Sequence, residues 1–190
     1  PRAAFQLNLF ARRISDYITL QPTNPPLSTR LPMSPKTVYQ YINGDASFFG
    51  GEASLAYGLT DLVTADLGAS YLRAEDNELN EPVLGISSLT GRLGLRYEDA
   101  SGRYFVEGSS TAVASQDRVS TTRNENATDS YVTIGLLTGL ATMRGWNVRV
   151  GIENLLDEQY WNHLNARNPF SGARIPEPGR VFYVDVSYGF

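Results

Sequence analysis

His163 is the side chain in this sequence best suited to metal binding or catalysis, and it stands in the polar segment "YWNHLNARN". A metal site needs several suitable ligands, and the Asn and Arg side chains around His163 are weak ones. Arg167 and Arg174 follow in the same segment, where they could meet an anionic ligand or serve as rim charges. We therefore treat His163, Arg167 and Arg174 as weak candidates for ligand contact in a loop, and we expect no metal site and no cofactor.

Two other kinds of chemistry have little support. Nucleophilic catalysis would need a serine beside His163 and an acid, and the sequence holds no Gly-x-Ser-x-Gly elbow. The acidic segment "AEDNELNE", with Glu75, Asp76, Glu78 and Glu81, offers oxygen ligands but lacks the spacing and turn glycine of a calcium loop. We predict no catalytic residues, and we expect the acidic segment to be a solvated loop.

Composition excludes several partner classes. The formal net charge is -4 and no Lys or Arg run occurs, so a nucleic-acid partner is not expected. The absence of cysteine removes disulfides and thiolate metal sites. Charged residues make up 19% of the chain, below the roughly 25% of an average globular domain, and glycine and tyrosine are frequent. This balance favours sheet and turns over helix.

Alternating apolar and polar residues predict β-strands along most of the chain. In "TGRLGLRYE", for example, Leu93, Leu95 and Tyr97 alternate with polar residues or glycine. The same template gives about eight strands: roughly 3–20, 38–59, 62–74, 87–98, 103–116, 129–143, 145–156 and 180–190. Several exceed the five or six residues of an ordinary soluble strand.

The connections between these strands alternate in length. Those near 60–61, 100–102 and 144–145 are tight, whereas 21–37, 75–86, 117–128 and 157–179 are long and polar. Such a pattern is typical of an up-and-down meander with two different rims. The polar strand faces carry too many ionisable groups for a packed core, so they must contact water. An all-β, antiparallel up-and-down transmembrane β-barrel fits best, with a soluble lipocalin-like barrel as an alternative.

The last strand, "VFYVDVSYGF", places apolar residues at every second position and ends on an aromatic residue. It resembles the C-terminal signal by which outer-membrane β-barrels are recognised by the barrel-assembly machinery, through strand addition at an unpaired edge. A hydrophobic end that packs in a core is the alternative. The residues of the predicted signal are Phe182, Val184, Val186, Tyr188 and Phe190.

The stretch "VGIENLLDEQYWNHLN" followed by "RIPEPGRVFYVDVSYGF" resembles the C-terminal signature of TonB-dependent outer-membrane receptors. The matching residues are Asn154, Leu155, Asp157 and Tyr160, then Glu177, Pro178, Gly179 and Arg180. Upstream, "YQYINGDASFFGGEASLAYGL" resembles another strand of the family through Tyr41, Asn43, Ala46, Gly50 or Gly51, and Glu52, and "ARRISDYI" fits the strand before it.

The motif residues also have a local physical interpretation. Asn154, Leu155 and Leu156 break the two-residue period, as expected where a strand bends, and the Asn154 and Asp157 side chains can accept bonds from backbone donors there. Gly179 after Pro178 suits a tight turn. Arg180 could pair with a rim carboxylate. A short amphipathic helix over "IENLLDEQYWNHL" is the alternative for this region.

The resemblance implies a role in the uptake of a chelated metal or similar nutrient of the siderophore type, in the outer membrane of a Gram-negative bacterium. It implies contact with outer-membrane lipid and the barrel-assembly machinery, a monomeric state, and contact with TonB only through an N-terminal plug that this sequence lacks. Residues 1–190 would form a single β-barrel domain, the C-terminal portion of a larger receptor barrel. A self-contained eight-stranded barrel of adhesin or anchor type is the alternative.

Overall fold

The computed structural model describes residues 2–24, 26–28, 37–141, 145–168 and 172–189. Phe190 of the predicted C-terminal signal lies outside them. The strands are β1 (Ala3–Pro22), β2 (Tyr39–Gly58), β3 (Val63–Asp76), β4 (Glu81–Pro82), β5 (Thr90–Glu98), β6 (Tyr104–Val113), β7 (Tyr131–Ala141), β8 (Trp146–Glu153) and β9 (Val181–Tyr188).

The strands form one antiparallel sheet in the order β1-β2-β3-β5-β6-β7-β8-β9, and the two-residue β4 pairs with β3. Each long strand pairs with the next along the chain, which confirms the predicted up-and-down meander of about eight strands. The described residues contain no helix, and "IENLLDEQYWNHL" is the end of β8 followed by bends and turns. Among the described residues, no helix is long and apolar enough to span a membrane.

One face of the sheet is apolar from edge to edge. The register places Phe5, Leu55, Leu67 and Leu93 side by side across β1, β2, β3 and β5. At the other edge of the sheet, on the same face, Val148, Val150 and Ile152 of β8 stand opposite Val186, Val184 and Phe182 of β9. These side chains are largely exposed, with Phe182 at 72% and Phe5 at 67%. Because so broad an apolar surface is unfavourable in water, this face requires an apolar environment.

Aromatic residues border the apolar face at the end of the sheet where the connections are short, here called the short-turn end. They are Tyr57, Tyr97, Tyr104, Trp146 and Tyr188, and the Trp146 and Tyr188 ring centroids lie 4.9 Å apart. On β2, Phe49 marks the other limit of the band. At ~3.3 Å per residue and a strand tilt of ~40°, Phe49 and Tyr57 are separated by roughly 20 Å along the barrel axis, near the apolar band of membrane barrels.

The opposite face carries charge and hydrogen-bonding groups. Asn8 of β1 stands beside Glu52 of β2. Similarly, Arg149 of β8 stands beside Asp185 of β9. Arg96 on β5 lies 3.4 Å from the Glu107 carboxylate and 3.6 Å from the centroid of the Phe105 ring. This face is therefore suited to water or to a polar occupant.

The conventional hydrophobic core is very small and lies away from the short-turn end. Ala46, Ala74 and Val83 are its buried members, and Tyr17, Phe48 and Ile86 pack against it. A single-layer sheet has no second layer to cover it. Its order therefore depends on strand pairing and on polar contacts among the long loops.

Candidate functional site at the long-loop end of the sheet

The long connections meet at the end of the sheet opposite the short turns. We call residues 114–130, between β6 and β7, the crossing loop, and residues 154–180, between β8 and β9, the closing loop. The crossing loop folds away from its own strands and contacts the ends of β1 and β3. It thereby joins parts of the chain that are more than a hundred residues apart.

Arg123 anchors the crossing loop to the first strands. Its guanidinium pairs with the Asp76 carboxylate of β3. It also donates to two groups of β1, the Leu20 carbonyl oxygen at 2.6 Å and the Thr19 hydroxyl at 3.0 Å. The Arg123 and Asp76 side chains are 2% and 1% exposed, so the pair is fully buried. The backbone amides of residues 78 and 79 also donate to Asp76. These additional hydrogen bonds satisfy the groups that burial removes from water.

Glu125 connects three loops. Its carboxylate accepts from the backbone amide of Gly85, between β4 and β5, and from that of Ser120 in the crossing loop, both at 2.8 Å. It also lies 3.1 Å from Nε2 of His163 in the closing loop. In the described part of the chain, no buried side-chain nitrogen or oxygen lacks a hydrogen-bond partner. The Glu125 carboxylate therefore has hydrogen-bond partners at both oxygens and links the three loops.

His163 is buried against the crossing loop, with 5% of its surface exposed. Its Nδ1 lies 3.0 Å from the Thr128 hydroxyl, and its Nε2 faces Glu125. Burial lowers the pKa of His163, and the nearby Arg174 and Arg167 charges lower it further, whereas the bond to Glu125 opposes the shift. His163 thus has a loop position, as predicted, but both ring nitrogens contact the crossing loop.

Most of the acidic segment is a docking surface for the crossing loop, so the predicted solvated loop is wrong for Glu75, Asp76 and Glu81, whereas Glu78 is exposed in the turn between β3 and β4. Besides the buried Asp76, Glu75 pairs with Arg73 and Arg118. Glu81 accepts hydrogen bonds from Ser120, Thr121 and Thr122. Burial raises the pKa of Glu81, but the hydrogen bonds outweigh it, so that the pKa is lowered overall. Among the described residues, no group of three or more His, Cys, Asp or Glu side chains is placed to hold a metal ion.

Arg167 and Arg174, the other predicted ligand contacts, also hold loops together. Arg167 donates to the Asn124 carbonyl oxygen at 3.0 Å. Arg174 donates to the carbonyl oxygens of His163 and of Asn126, the latter at 3.3 Å. The two arginines stand between two clefts at this end of the sheet, one of about 620 Å³ and one of about 900 Å³. Their hydrogen bonds to the loops hold both guanidinium groups in place, so either could contact a ligand only from its present position.

The motif residues lie where β8 gives way to the closing loop. Asn154 adopts a positive φ of 50°, and its side chain both accepts from the Glu158 amide and donates to the Glu158 carbonyl, at 2.9 and 2.8 Å. The amide of Leu155 donates to the Ile134 carbonyl oxygen at 2.8 Å, which extends the pairing with β7. The region is therefore a side-chain-stabilised bend.

The second part of the motif meets the first at the start of β9. The Asp157 carboxylate accepts from the backbone amide of Arg180 at 2.8 Å, and Gly179 lies so close that a Cβ there would come within 2.6 Å of Asp157 Oδ1. Pro178 precedes this contact and is exposed. The sequence predicts that the Arg180 guanidinium pairs with a rim carboxylate. In the structure, the backbone amide of Arg180 makes the contact with such a carboxylate, that of Asp157. Tyr160 stacks on Tyr131, with ring centroids 4.2 Å apart.

The sequence analysis does not identify Arg123 and Glu125, and it names Glu81 only as part of a solvated loop, yet each of these three residues makes several of the loop contacts. The only signal was complementary charge: an acidic segment at 75–81 and arginines at 118 and 123. Charge alone does not specify which loops meet, because exposed charges of both signs are ordinary in loops.

Curated protein sequences gave no significant match. Among solved structures, the copper transporter OprC is similar over 100% of this chain and 29% of its own, with 22% identity and a TM-score of 0.87. The FrpB iron transporter from Neisseria meningitidis (F3-3 variant) covers 98% of this chain and 29% of its own, with 17% identity and a TM-score of 0.71.

A mutant of the ferric enterobactin receptor PfeA from Pseudomonas aeruginosa is similar over 100% of this chain and 29% of its own, with 20% identity and a TM-score of 0.71. The chain thus spans less than a third of these receptors, and the likeness shows the fold. The family model described as "TonB dependent receptor-like, beta-barrel" matches residues 1–155. The chain therefore belongs to the family of TonB-dependent receptor β-barrels.

Proposed function

We propose that this chain is part of the barrel wall of an outer-membrane TonB-dependent receptor in a Gram-negative bacterium. The observation that carries the proposal is the two-faced meander: an apolar face bordered by aromatic residues, and a charged face suited to water. In such a barrel the apolar face contacts lipid and the polar face lines the interior. The described residues then supply wall and loops, with no role as an enzyme or in nucleic-acid binding.

The nutrient is proposed to be a chelated metal or similar scarce compound of the siderophore type. The structural relatives are named for copper, iron and ferric enterobactin, which supports this class without distinguishing its members. Residues 1–190 correspond to 29% of those chains, so a plug domain and its contact with TonB would come from other parts of the receptor. We propose that the receptor acts as a monomer.

Transport can be tested in cells that produce the receptor containing this chain. We expect them to accumulate radioactive iron or copper supplied as a chelate, and to stop when TonB is deleted or the proton gradient is dissipated. Outer-membrane residence without TonB-dependent accumulation of any tested chelate would contradict the transport proposal and favour an adhesin or anchor barrel. Recovery in the aqueous fraction without detergent would contradict the membrane barrel itself.

The C-terminal assembly signal is a separate proposal. Phe182, Val184, Val186 and Tyr188 stand on the apolar face of β9, paired with apolar residues of β8, and Phe190 continues the pattern in the sequence. Removal of Phe190 should lower the amount of receptor assembled in the outer membrane, as measured by heat-modifiable mobility on gels. The control is Ser187→Ala, which removes only a polar hydroxyl group from β9. Equal assembly of the two variants would contradict the role of Phe190 in the signal.

A further inference from the structure

Two hollows on the apolar side of the sheet meet at Leu89. The first, here called the head cleft, has a volume of about 170 Å³ and is lined by Tyr71 and Arg73 of β3 and by the start of the crossing loop. The second, here called the furrow, has a volume of about 780 Å³ and extends over β5, β6 and β7. Because Leu89 lines both, the two hollows form one surface with a polar part and an apolar part.

The head cleft lies at the limit of the apolar band that faces away from the short-turn end. Arg73 stands beside Phe49 of β2, the residue that marks this limit. Tyr71, two residues before Arg73 and on the same face, is 41% exposed. In a membrane barrel, aromatic side chains of this kind mark the depth at which lipid head groups begin. A ligand in the head cleft is therefore at head-group depth.

Two guanidinium groups converge in the head cleft. Arg73, at 2.9 Å, and Arg118 of the crossing loop both pair with the Glu75 carboxylate. Within the described residues, all the side-chain hydrogen bonds of the two arginines go to one oxygen of Glu75, Oε1. Each guanidinium has five N–H donors in a planar fork, so most of these donors remain available to a ligand. Arginine forks of this kind bind phosphate oxygens through charge-assisted hydrogen bonds.

The furrow is apolar and has a floor of small residues. Ala69 of β3, Gly91 of β5 and Ala112 of β6 are neighbours in the register and form this floor. Leu89 and Val132 border it and are about half exposed, at 49% and 50%. The furrow is continuous with the apolar face of the sheet, which requires an apolar environment. Lipid hydrocarbon is therefore the occupant that fits it.

From the two hollows together, we propose that this surface binds one lipid of the outer leaflet whose head group carries phosphate. The phosphate lies between Arg73 and Arg118, and an acyl chain lies in the furrow. The proposal rests on the outer-membrane placement proposed above but goes beyond transport, because it concerns the outer side of the barrel wall and not the passage of a nutrient.

One carboxylate in the head cleft opposes an anionic head group. Asp117 lines the cleft, and its carboxylate accepts from the Ser115 hydroxyl at 2.8 Å. It would repel a phosphate but attract an ammonium group. Removal of this charge therefore reports the sign of the head group that binds.

Binding can be measured on the receptor that contains this chain, purified in a non-ionic detergent. Lipid A, a phosphorylated glycolipid, is added in increasing amounts, and native mass spectrometry gives the fraction of receptor with one lipid bound. We expect a saturable complex of one lipid per receptor. Lipid A without its phosphates should bind about tenfold more weakly, the usual effect of losing a hydrogen bond to a charged group.

Three variants locate the phosphate. Arg73→Gln should weaken lipid A binding about tenfold, because a guanidinium–phosphate bond is lost. Arg13→Gln is the matched control, since Arg13 stands on the same face, is 70% exposed and pairs with Asp45 at 2.8 Å, but does not line the head cleft. It should leave binding within about twofold of the parent. Asp117→Asn should strengthen binding about twofold to fivefold, because it removes a negative charge beside the phosphate.

One substitution tests the furrow. Ala112→Phe keeps the face apolar but fills the floor, so lipid A should bind about fourfold more weakly, the effect of losing contact with roughly one methylene group. Ala65→Phe, on the same face of β3 but beside Tyr57 at the short-turn end, is the control and should leave binding unchanged. Unchanged binding in Ala112→Phe would overturn the assignment of the acyl chain.

Four other results would overturn the proposal. Equal weakening in Arg73→Gln and Arg13→Gln would indicate general attraction between surface charges and lipid, and weaker binding in Asp117→Asn would indicate a cationic head group. Competition by glucosamine 6-phosphate as effective as that by lipid A would assign the head cleft to a free phosphate compound. The absence of a lipid A complex, with the receptor folded by circular dichroism, would overturn the proposal alone, because transport and membrane placement are tested separately by chelate accumulation and by fractionation.

Discussion

Replacing Arg123 with methionine should release the crossing loop while leaving the sheet folded. The substitution retains a long apolar chain but removes the partner of Asp76, whose carboxylate is 1% exposed. Breaking one side of a buried ion pair typically costs about 3–5 kcal/mol. We expect the lower end, about 3 kcal/mol, because two backbone amides continue to donate to Asp76.

This cost should appear as local opening, since the pairing of β1 to β9 does not depend on Arg123. A loss of 3 kcal/mol corresponds to an increase of about 150-fold in the opening equilibrium. Hydrogen exchange of the amides in residues 114–130, measured by mass spectrometry on the receptor that contains this chain, in detergent, should accelerate by that factor. Exchange in β5 and β6 should stay within about twofold of the parent.

Two companion variants separate charge from packing. Arg12→Met removes an exposed arginine from β1 and should leave exchange in the crossing loop unchanged. Asp76→Asn added to Arg123→Met removes the unpaired buried charge yet keeps an oxygen for the amides, so it should restore about 1–2 kcal/mol. Acceleration below tenfold in Arg123→Met, or equal exchange in the single and double variants, would refute the reasoning.

Three further outcomes test other parts of the structure. Asn154→Ala should destabilise the bend by about 2 kcal/mol in urea unfolding, and Asn154→Asp by less, because a carboxylate still accepts from the Glu158 amide. Gly50→Ala should cost about 1–3 kcal/mol, since its Cβ would lie 2.5 Å from a backbone oxygen of β3, whereas Gly58→Ala, with 3.6 Å of clearance, should cost under 1 kcal/mol. The pKa of His163 is lower in the folded chain than its ordinary value, so docking is strongest above about pH 6.5 and weakens as the pH falls below it. Hydrogen exchange of the closing loop, corrected for intrinsic rates, should show this weakening in the parent but not in His163→Gln. Identical pH profiles in the two proteins would contradict the role of His163 in docking the closing loop.

The strands were predictable because their signal is local. In β5, Leu93 and Leu95 face one side and Arg92 and Arg96 the other, and this two-residue period depends only on neighbours in sequence. The bend at Asn154 was predictable for the same reason, since it interrupts that period. Periodicity also allowed a helix there, and pairing of the region with β7 favours the bend instead.

The loop contacts were not predictable, because they join residues far apart in sequence. Arg123 donates to Leu20, 103 positions away, and Ser120 donates to Glu81, 39 positions away. The sequence shows both charges but not the path of the crossing loop over the sheet end. For Glu81 the sequence therefore predicts a solvated loop, whereas the structure places it under the crossing loop.

The position of the polar junction follows from the architecture. A single-layer sheet with an apolar outer face can bury few side chains against itself, and its small core of Ala46, Ala74 and Val83 gives the long loops little apolar surface to pack on. The loops are instead fixed by hydrogen bonds that converge on Glu125 and Arg123. Glu125 bonds to groups in the crossing loop, the closing loop and the β4–β5 connection, so loss of its carboxylate would remove hydrogen bonds from all three. At this end of the sheet, one shared carboxylate therefore holds together long connections that have little apolar surface to pack against.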